Sequence, residues 1–176
     1  MKHLVFDLET QKSADEVGGW HNCKDMLMSV GCVYNIETGE ELTFTEKDVV
    51  KLILELLGAD LVIGFNVINF DYKVLQAYTH LDLKQIKTLD LSWEAKKNLG
   101  HKVSLNNLAR NTLGKGKLGS GLDALVWYKN NQMEQLIMYC MEDVKITYEL
   151  YEYGRKMKHI FAEFDGKKFK IPVTWR

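Results

Sequence analysis

The stretch "LVFDLET", residues 4–10, decides the fold, because its side chains alternate between an apolar face and an acidic one. A period of two is typical of a β-strand, and this strand carries Asp7 and Glu9 on the same face. The Cα atoms of these two residues are expected to lie about 7 Å apart. Carboxylates that close repel each other, and a protein interior does not hold them unpaired. The first question is therefore what Asp7 and Glu9 face.

The composition is that of an ordinary soluble globular protein. The 176 residues are 46% hydrophobic and 27% charged, which suits one domain, residues 1–176, with a substantial core. No apolar run is long enough to span a bilayer, and Asp7 interrupts the first apolar run, which argues against a signal peptide. Three cysteines are scattered, with no Cys-x-x-Cys pair and no histidine at zinc spacing. We therefore expect reduced thiols, a cytoplasmic location and no membrane partner.

The net charge of −1 does not by itself indicate nucleic-acid binding, but the charge is unevenly distributed. Between Ala95 and Leu122 there is no acidic residue, and this acid-free stretch holds Lys96, Lys97, Lys102, Arg110, Lys115 and Lys117. A second basic cluster, the tail cluster, consists of Lys156, Lys158, Lys167, Lys168, Lys170 and Arg176. Taken alone, each cluster is best interpreted as a solvated face.

The remaining pattern predicts an α/β fold with a mixed central sheet flanked by helices. Two strands flank a turn at 37–39, and helix 45–58 begins with Thr45 as its N-cap. Two further strands, 60–66 and 86–92, enclose a helix that starts near Phe70. The later elements are a helix over 105–113 capped by Ser104, a glycine-rich loop at 114–121, a long helix over 132–153 and a C-terminal β-hairpin around Asp165-Gly166.

Two further acids stand out against this pattern. Asp71 falls at the start of a predicted helix, where an acid commonly complements the helix dipole. Asp143 lies on the long helix about 20° from Leu136, in the middle of the apolar arc, whereas Glu142 lies on the solvent side. A buried carboxylate is rare without a cation or strong donors. Tyr139, one turn before Asp143, shares its face, although a tyrosine at that spacing is more often plain core.

The four acids together predict a metal site. If Asp7, Glu9, Asp71 and Asp143 converge, they form an all-oxygen site that suits Mg²⁺ or Mn²⁺ better than zinc. Two such ions about 4 Å apart can activate a water and stabilise the leaving oxygen of a phosphodiester. The repulsion between the acids then becomes affinity for metal. We therefore expect Asp7 and Glu9 to face divalent metal.

Three segments resemble the motifs of the DEDD exonuclease superfamily. They are "FDLET" (6–10), "NVINFD" (66–71) and "YCMED" (139–143), which match the patterns DxE, Nx₂₋₃[FY]D and Yx₃D. Because its third motif begins with tyrosine, the chain resembles the DEDDy branch, to which the proofreading domains of family B DNA polymerases belong. The sister branch needs a histidine where this chain has Met138. The stretch 104–124 also resembles the corresponding part of stand-alone or helicase-fused members.

The resemblance implies a ribonuclease H-like fold and removal of nucleotides in the 3′→5′ direction with two ions, Mg²⁺ or Mn²⁺. By family analogy, Asp7, Glu9 and Asp143 bind the first metal, Asp7 also binds the second, and Asp71 supports it partly through water. Tyr139 is the family's residue for orienting or deprotonating the attacking water. Thr10, Asn66 and Phe70 match family positions that hold the terminal nucleotides. From its charge, the acid-free stretch, with Lys115 and Lys117, is expected to receive the phosphate backbone of a single strand.

Three functions are compatible with these residues. The first is a 3′→5′ exonuclease acting on single-stranded ends, with DNA favoured over RNA. The second is an RNA-trimming enzyme, and the third is a catalytically silent nucleic-acid-binding module. The presence of all four acids and of Tyr139 argues against the silent module. Any proofreading role would require a polymerase or helicase partner, because the chain carries no such domain.

Overall fold

A mixed five-stranded sheet forms the centre of the computed structural model, which describes residues 1–116 and 119–175. The strand order is β3-β2-β1-β4-β5. β1 pairs antiparallel with β2 and parallel with β4, which confirms the predicted mixed sheet. The strands are β1 (His3–Thr10), β2 (Met28–Asn35), β3 (Glu41–Thr45), β4 (Leu61–Gly64) and β5 (Thr88–Asp90).

Helices cover both faces of this sheet. They are α1 (Val49–Leu57), α2 (Asp71–Leu75), α3 (Leu91–Leu99), α4 (Leu105–Leu113), α5 (Gly121–Lys129) and α6 (Met133–Met157). α6 packs across β1 and β2 on one face, whereas α1 and α2 belong to the core on the other. Among the described residues, every helix is too short or too polar to cross a membrane.

The two faces of β1 belong to different cores. Leu4 and Phe6 are fully buried with the side chains of α1 and α2, whereas Val5 is buried with those of α6. Because side chains alternate along a strand, Asp7 and Glu9 project from the same face as Val5. The acidic face of β1 is therefore turned toward α6.

The turn after β4 brings the second motif beside the end of β1. A Cβ atom on Gly64 would lie 2.3 Å from Cγ1 of Val67 and 3.1 Å from the carbonyl oxygen of Phe6, so only glycine allows this approach. Asn66 has a φ of 67°, a left-handed conformation that asparagine tolerates better than most residues. The chain can therefore turn sharply enough for α2 to start next to β1.

The predicted C-terminal hairpin is confirmed as β6 (His159–Phe164) and β7 (Lys167–Pro172). Asp165 and Gly166 both have positive φ, as a tight two-residue turn requires. Side chains of α4 form hydrogen bonds with backbone groups of β6, at one edge of the hairpin. Asn107 bonds the backbone of Glu163, and Thr112 bonds that of Phe161. These bonds satisfy strand-edge groups that would otherwise be unpaired.

The bounds of three helices differ from the predicted pattern, and two of these differences involve hydrogen bonds of side chains at the start of the helix. The Thr45 hydroxyl donates to the carboxylate of Asp48 at 3.4 Å instead of capping a backbone N–H, and residues 46–48 form a 3₁₀ turn before α1. α5 begins at Gly121, inside the predicted loop, because Ser120 and Asp123 form a capping box. α6 continues past residue 153 to Met157. The capping of α4 by Ser104 is confirmed, with Asn107 donating its N–H at 3.2 Å.

Candidate metal centre

Three of the four acids form one cluster. Carboxylate oxygens of Asp7, Glu9 and Asp143 all lie within 4.8 Å of one another. Asp143 is only 2% exposed, which confirms that this carboxylate points inward from the apolar face of α6. Asp7 and Glu9 are half-buried on the face of β1 that α6 covers. A strand and a helix from opposite ends of the chain thus bring three negative charges together.

The packing of α6 against β1 fixes this cluster. The thiol of Cys140, one turn before Asp143, donates to the carbonyl oxygen of Asp7 at 3.5 Å. Burial raises the pKa of this thiol well above its usual range, so Cys140 stays neutral and does not offer a thiolate to a metal. The acidic cluster therefore offers only oxygen ligands.

The end of β1 is irregular at this point. The register of β1 against β2 shifts between Glu9 and Thr10, and such bulges commonly lie next to functional sites.

Asp71 lies beside this cluster and not within it. Its Oδ1 accepts a hydrogen bond of 3.1 Å from the backbone N–H of Leu8, the residue between Asp7 and Glu9. Burial raises the pKa of Asp71 to about 7, and the negative charge of Asp90 adds to this shift. A divalent cation nearby would favour the ionised carboxylate. Asp71 is thus held against the backbone of β1 between Asp7 and Glu9.

A further buried acid, Asp90, was not singled out in the sequence analysis. Its carboxylate accepts backbone N–H groups from Asn66 at 2.8 Å and Ile68 at 3.2 Å, and it caps α3 through Ser92 and Trp93. Asp90 therefore ties the loop of the second motif to the start of α3. A partial signal was available, because Asp90 lies near the end of the predicted strand 86–92, and the carboxyl ends of parallel strands share one edge of a sheet.

Tyr139 lies on the same face of α6 as Asp143, one turn earlier, and is 5% exposed. The edge of its ring packs against Trp127 of α5, with centroids 5.6 Å apart. Gly119 also lies close to this ring, because a Cβ atom there would come within 3.4 Å of it. Trp127 and Gly119 are therefore both close neighbours of the Tyr139 ring.

A cavity of about 610 Å³ adjoins the acidic cluster. Its walls include Glu9 and the three residues expected to hold terminal nucleotides, Thr10, Asn66 and Phe70. Trp20, which the sequence analysis did not single out, also lines it, is 69% exposed and meets Phe70 edge-on at 5.8 Å. The sequence around Trp20 gives little indication of this position, because Trp20 is a single aromatic residue that follows two glycines.

The opposite walls of this cavity are residues 12–15 and the start of α5. Glu16 and Lys129, which follow these segments, form an ion pair of 2.7 Å. Lys129 and the N–H of Ser13 lower the pKa of Glu16 to about 2. The ion pair connects the loop after β1 to α5.

The basic residues of the acid-free stretch differ in their positions. Lys115 forms an ion pair with Glu149 of α6. Lys102 instead lines a cavity of about 480 Å³ together with Asp7 and Asp143. Lys117 lies outside the described residues. Among the described residues of this stretch, Lys102 thus shares a cavity with two carboxylates of the acidic cluster.

Comparisons with known proteins place this geometry in a family. A family model described as the RNase H superfamily matches residues 4–154. No curated protein matches the chain. A solved structure with a similar fold is the zinc-ion-bound form of an E. coli ExoI–ssDNA complex, at 12% identity and a TM-score of 0.50. The match covers 88% of this chain and 40% of that one, so the chain spans less than half of the ExoI chain. The family match contains all four acids, and the chain belongs to the RNase H superfamily.

Proposed function

We propose that this protein is a metal-dependent 3′→5′ exonuclease of the DEDDy type that removes nucleotides from single-stranded ends, with DNA favoured over RNA. The observation that carries the proposal is the clustering of Asp7, Glu9 and Asp143 within 4.8 Å, with Asp71 bonded to the strand between the first two. Membership of the RNase H superfamily supports nuclease chemistry at such a site.

The four acids suit hard divalent cations, because carboxylate oxygens are the ligands that Mg²⁺ and Mn²⁺ prefer. Asp7, Glu9 and Asp143 would hold one ion, and Asp7 with Asp71 would hold a second. Ions at these positions supply an activated water and stabilise the charge on the leaving oxygen. Asp90 keeps the second motif in place by accepting the N–H groups of Asn66 and Ile68.

Tyr139 is proposed to orient the attacking water with a neutral hydroxyl. A phenol has a reference pKa near 10, so its O–H stays protonated at physiological pH unless its surroundings lower that value. The hydroxyl can then hold a water by hydrogen bonding, and ions held by the four acids would supply the acidity of that water. The packing of this ring against Trp127, with Gly119 close by, supports a fixed position for that hydroxyl.

The terminal nucleotide is proposed to occupy the cavity lined by Thr10, Asn66 and Phe70. The buried hydroxyl of Thr10 already bonds the carbonyl of Lys12, so the loop behind the nucleotide is pinned. Exposed Trp20 beside Phe70 offers a second aromatic surface for a base. The similar fold of the ExoI–ssDNA complex supports single-stranded DNA as substrate.

Trimming of RNA 3′ ends is the second candidate, because the same carboxylates serve either backbone. A silent binding module is disfavoured by the intact set of four acids and Tyr139. A role in proofreading or DNA repair would depend on a polymerase or helicase partner. One experiment separates these functions: the chain is incubated with 5′-labelled single- and double-stranded DNA and RNA, with Mg²⁺, Mn²⁺ or a chelator. The proposal expects metal-dependent shortening of single strands, and intact substrates in every lane would contradict it.

A further inference from the structure

The structure carries a basic and aromatic groove next to the metal centre that no comparison assigns. A cavity of about 340 Å³ is lined by Asn66 and Asn69 on one wall and by side chains of α3 and the following loop on the other, namely Ser92, Trp93, Lys96, Lys97 and Lys102. We call these residues the α3 groove. Trp93, Lys96 and Lys97 are spaced i, i+3 and i+4, so they share one face of α3.

The charges of the α3 groove are available to a ligand. Lys96, Lys97 and Lys102 are exposed, and within residues 1–116 and 119–175 none of them forms an ion pair. Lys115, in contrast, is paired with Glu149, and Lys145 is paired with Glu41. Three unpaired ammonium groups around one cavity repel each other and favour an anionic occupant.

The α3 groove is continuous with the metal centre. Asn66 lines it and also lines the cavity of the terminal nucleotide. Lys102 and Ser92 line it and also line the cavity that contains Asp7 and Asp143. A chain that starts in the terminal cavity and passes over the carboxylates therefore enters the α3 groove next.

An exposed tryptophan in the same groove specifies the kind of anion. Trp93 is 54% exposed, so much of its ring is available to a ligand. The ring of Trp93 and the neighbouring lysines suit a polymer that alternates bases with phosphates. Bases stack on aromatic rings, and phosphates bind ammonium groups. Asp90 fixes both walls at once, since it bonds the loop of Asn66 and caps the helix of Trp93.

We propose that the α3 groove binds the part of a nucleic-acid single strand that lies upstream of the scissile phosphate, with a base on Trp93 and phosphates on Lys96 and Lys97. This inference deepens the proposed function and rests on it for the direction of the strand. The groove would hold the substrate between successive cleavages.

Binding without hydrolysis tests the groove separately from catalysis. The full chain is titrated, in chelator, against a labelled oligothymidylate of about ten nucleotides at several salt concentrations. We expect Lys96→Gln/Lys97→Gln to flatten the log–log salt slope by about 1.4, which is two contacts at about 0.7 each. The matched control, Lys156→Gln/Lys158→Gln, removes the same charge from exposed positions at the end of α6 and should leave the slope within about 0.3 of the wild-type value.

Trp93 gives a second, independent readout. We expect Trp93→Ala to weaken binding by about 5- to 100-fold, and Trp93→Phe to restore most of the loss, because phenylalanine still offers a stacking surface. The proposal for the α3 groove would be overturned by any one of three results. These are equal slopes for the two lysine-pair variants, unchanged affinity of Trp93→Ala, and no binding by wild type at low salt.

The two proposals fail in different ways. A wild-type chain that shows these binding effects but hydrolyses no strand with Mg²⁺ or Mn²⁺ supports the groove and contradicts the exonuclease. A chain that shortens strands while neither Lys96→Gln/Lys97→Gln nor Trp93→Ala changes binding supports the exonuclease and contradicts the groove.

Discussion

Four carboxylates reach the centre from three separate elements, and the surroundings of each side chain determine its behaviour. Asp7 and Glu9 come from β1, where half-burial leaves them open to a ligand. Asp71 and Asp143 are each 2% exposed and would be costly there as isolated charges. The arrangement is compatible with a site that binds divalent cations.

Asp143→Asn tests this view of the buried acids. The change keeps the shape and removes one of three clustered negative charges, so in chelator the variant should melt at an equal or higher Tm than wild type. Saturating Mg²⁺ or Mn²⁺ should reverse the order. An ion at one hundred times its Kd stabilises the native state by about 2.7 kcal/mol, and a ligand-deficient site gains less.

Thermal melts of both proteins, with chelator and then with metal, measure the effect of Asp143→Asn. Glu142→Gln is the control, because it removes the same charge from the neighbouring, half-buried position of α6. Identical metal-induced shifts in wild type and Asp143→Asn would show that Asp143 is not a ligand.

Tyr139→Phe separates chemistry from packing at the third motif. The ring contacts with Trp127 remain, so the free energy of unfolding should change by about 1 kcal/mol or less. Loss of a hydroxyl that positions water should lower the rate of hydrolysis by about 10²-fold. Tyr151→Phe is the control, since Tyr151 is a buried tyrosine of the same helix that stacks on Trp175. Equal rates for wild type and Tyr139→Phe would return Tyr139 to a packing role.

At the scale of elements, the site depends on how the turn after β4 and the start of α3 are joined. β4 ends at Gly64, Asn66 takes a left-handed conformation, and α2 begins at Asp71. The backbone N–H groups of this turn are not paired by a sheet, and Asp90 at the end of β5 accepts two of them. One side chain thus connects the second motif to α3.

Asp90→Ala should therefore destabilise the fold by about 3 kcal/mol, because four backbone N–H groups lose a charged acceptor and α3 loses its cap. Urea unfolding monitored by tryptophan fluorescence measures this loss. Asp82→Ala is the matched control: Asp82 accepts only the N–H of Lys84, is exposed, and should cost about 1 kcal/mol or less. Equal losses for the two variants would mean that Asp90 is an ordinary cap.

Elements with a strong periodic pattern could be predicted from the sequence, and those built by long-range contacts could not. β1, the β2–β3 hairpin and the inward face of α6 follow from alternation and helical spacing alone. α3 has a weak apolar face and depends on Asp90, and α5 depends on the capping box at Ser120 within a glycine-rich segment. These two helices were not predicted, although both line the proposed substrate path.

At the scale of the whole molecule, the family match over residues 4–154 and the mixed sheet confirm the predicted ribonuclease H-like fold. The acids of the candidate site could be predicted where the surrounding sequence gives a local pattern. Examples are the alternation of side chains around Asp7 and the apolar arc of the helix around Asp143. Trp20 and Trp93 carry no such signal, because their roles depend on which cavity the fold places them against. Lys115 stays a prediction, and its ion pair with Glu149 favours the α3 groove for the strand.

The release of mononucleotides from the 3′ end, compared between wild type and Asp7→Ala, tests the central claim most directly. Strands labelled at the 5′ end are followed over time with Mn²⁺, and circular dichroism confirms that both proteins are folded. Asp7 is proposed to contact both ions, so its loss should remove the two-metal arrangement. We expect wild type to shorten the strand one nucleotide at a time from its 3′ end and folded Asp7→Ala to leave it intact. Shortening by folded Asp7→Ala at more than a small fraction of the wild-type rate would contradict the account.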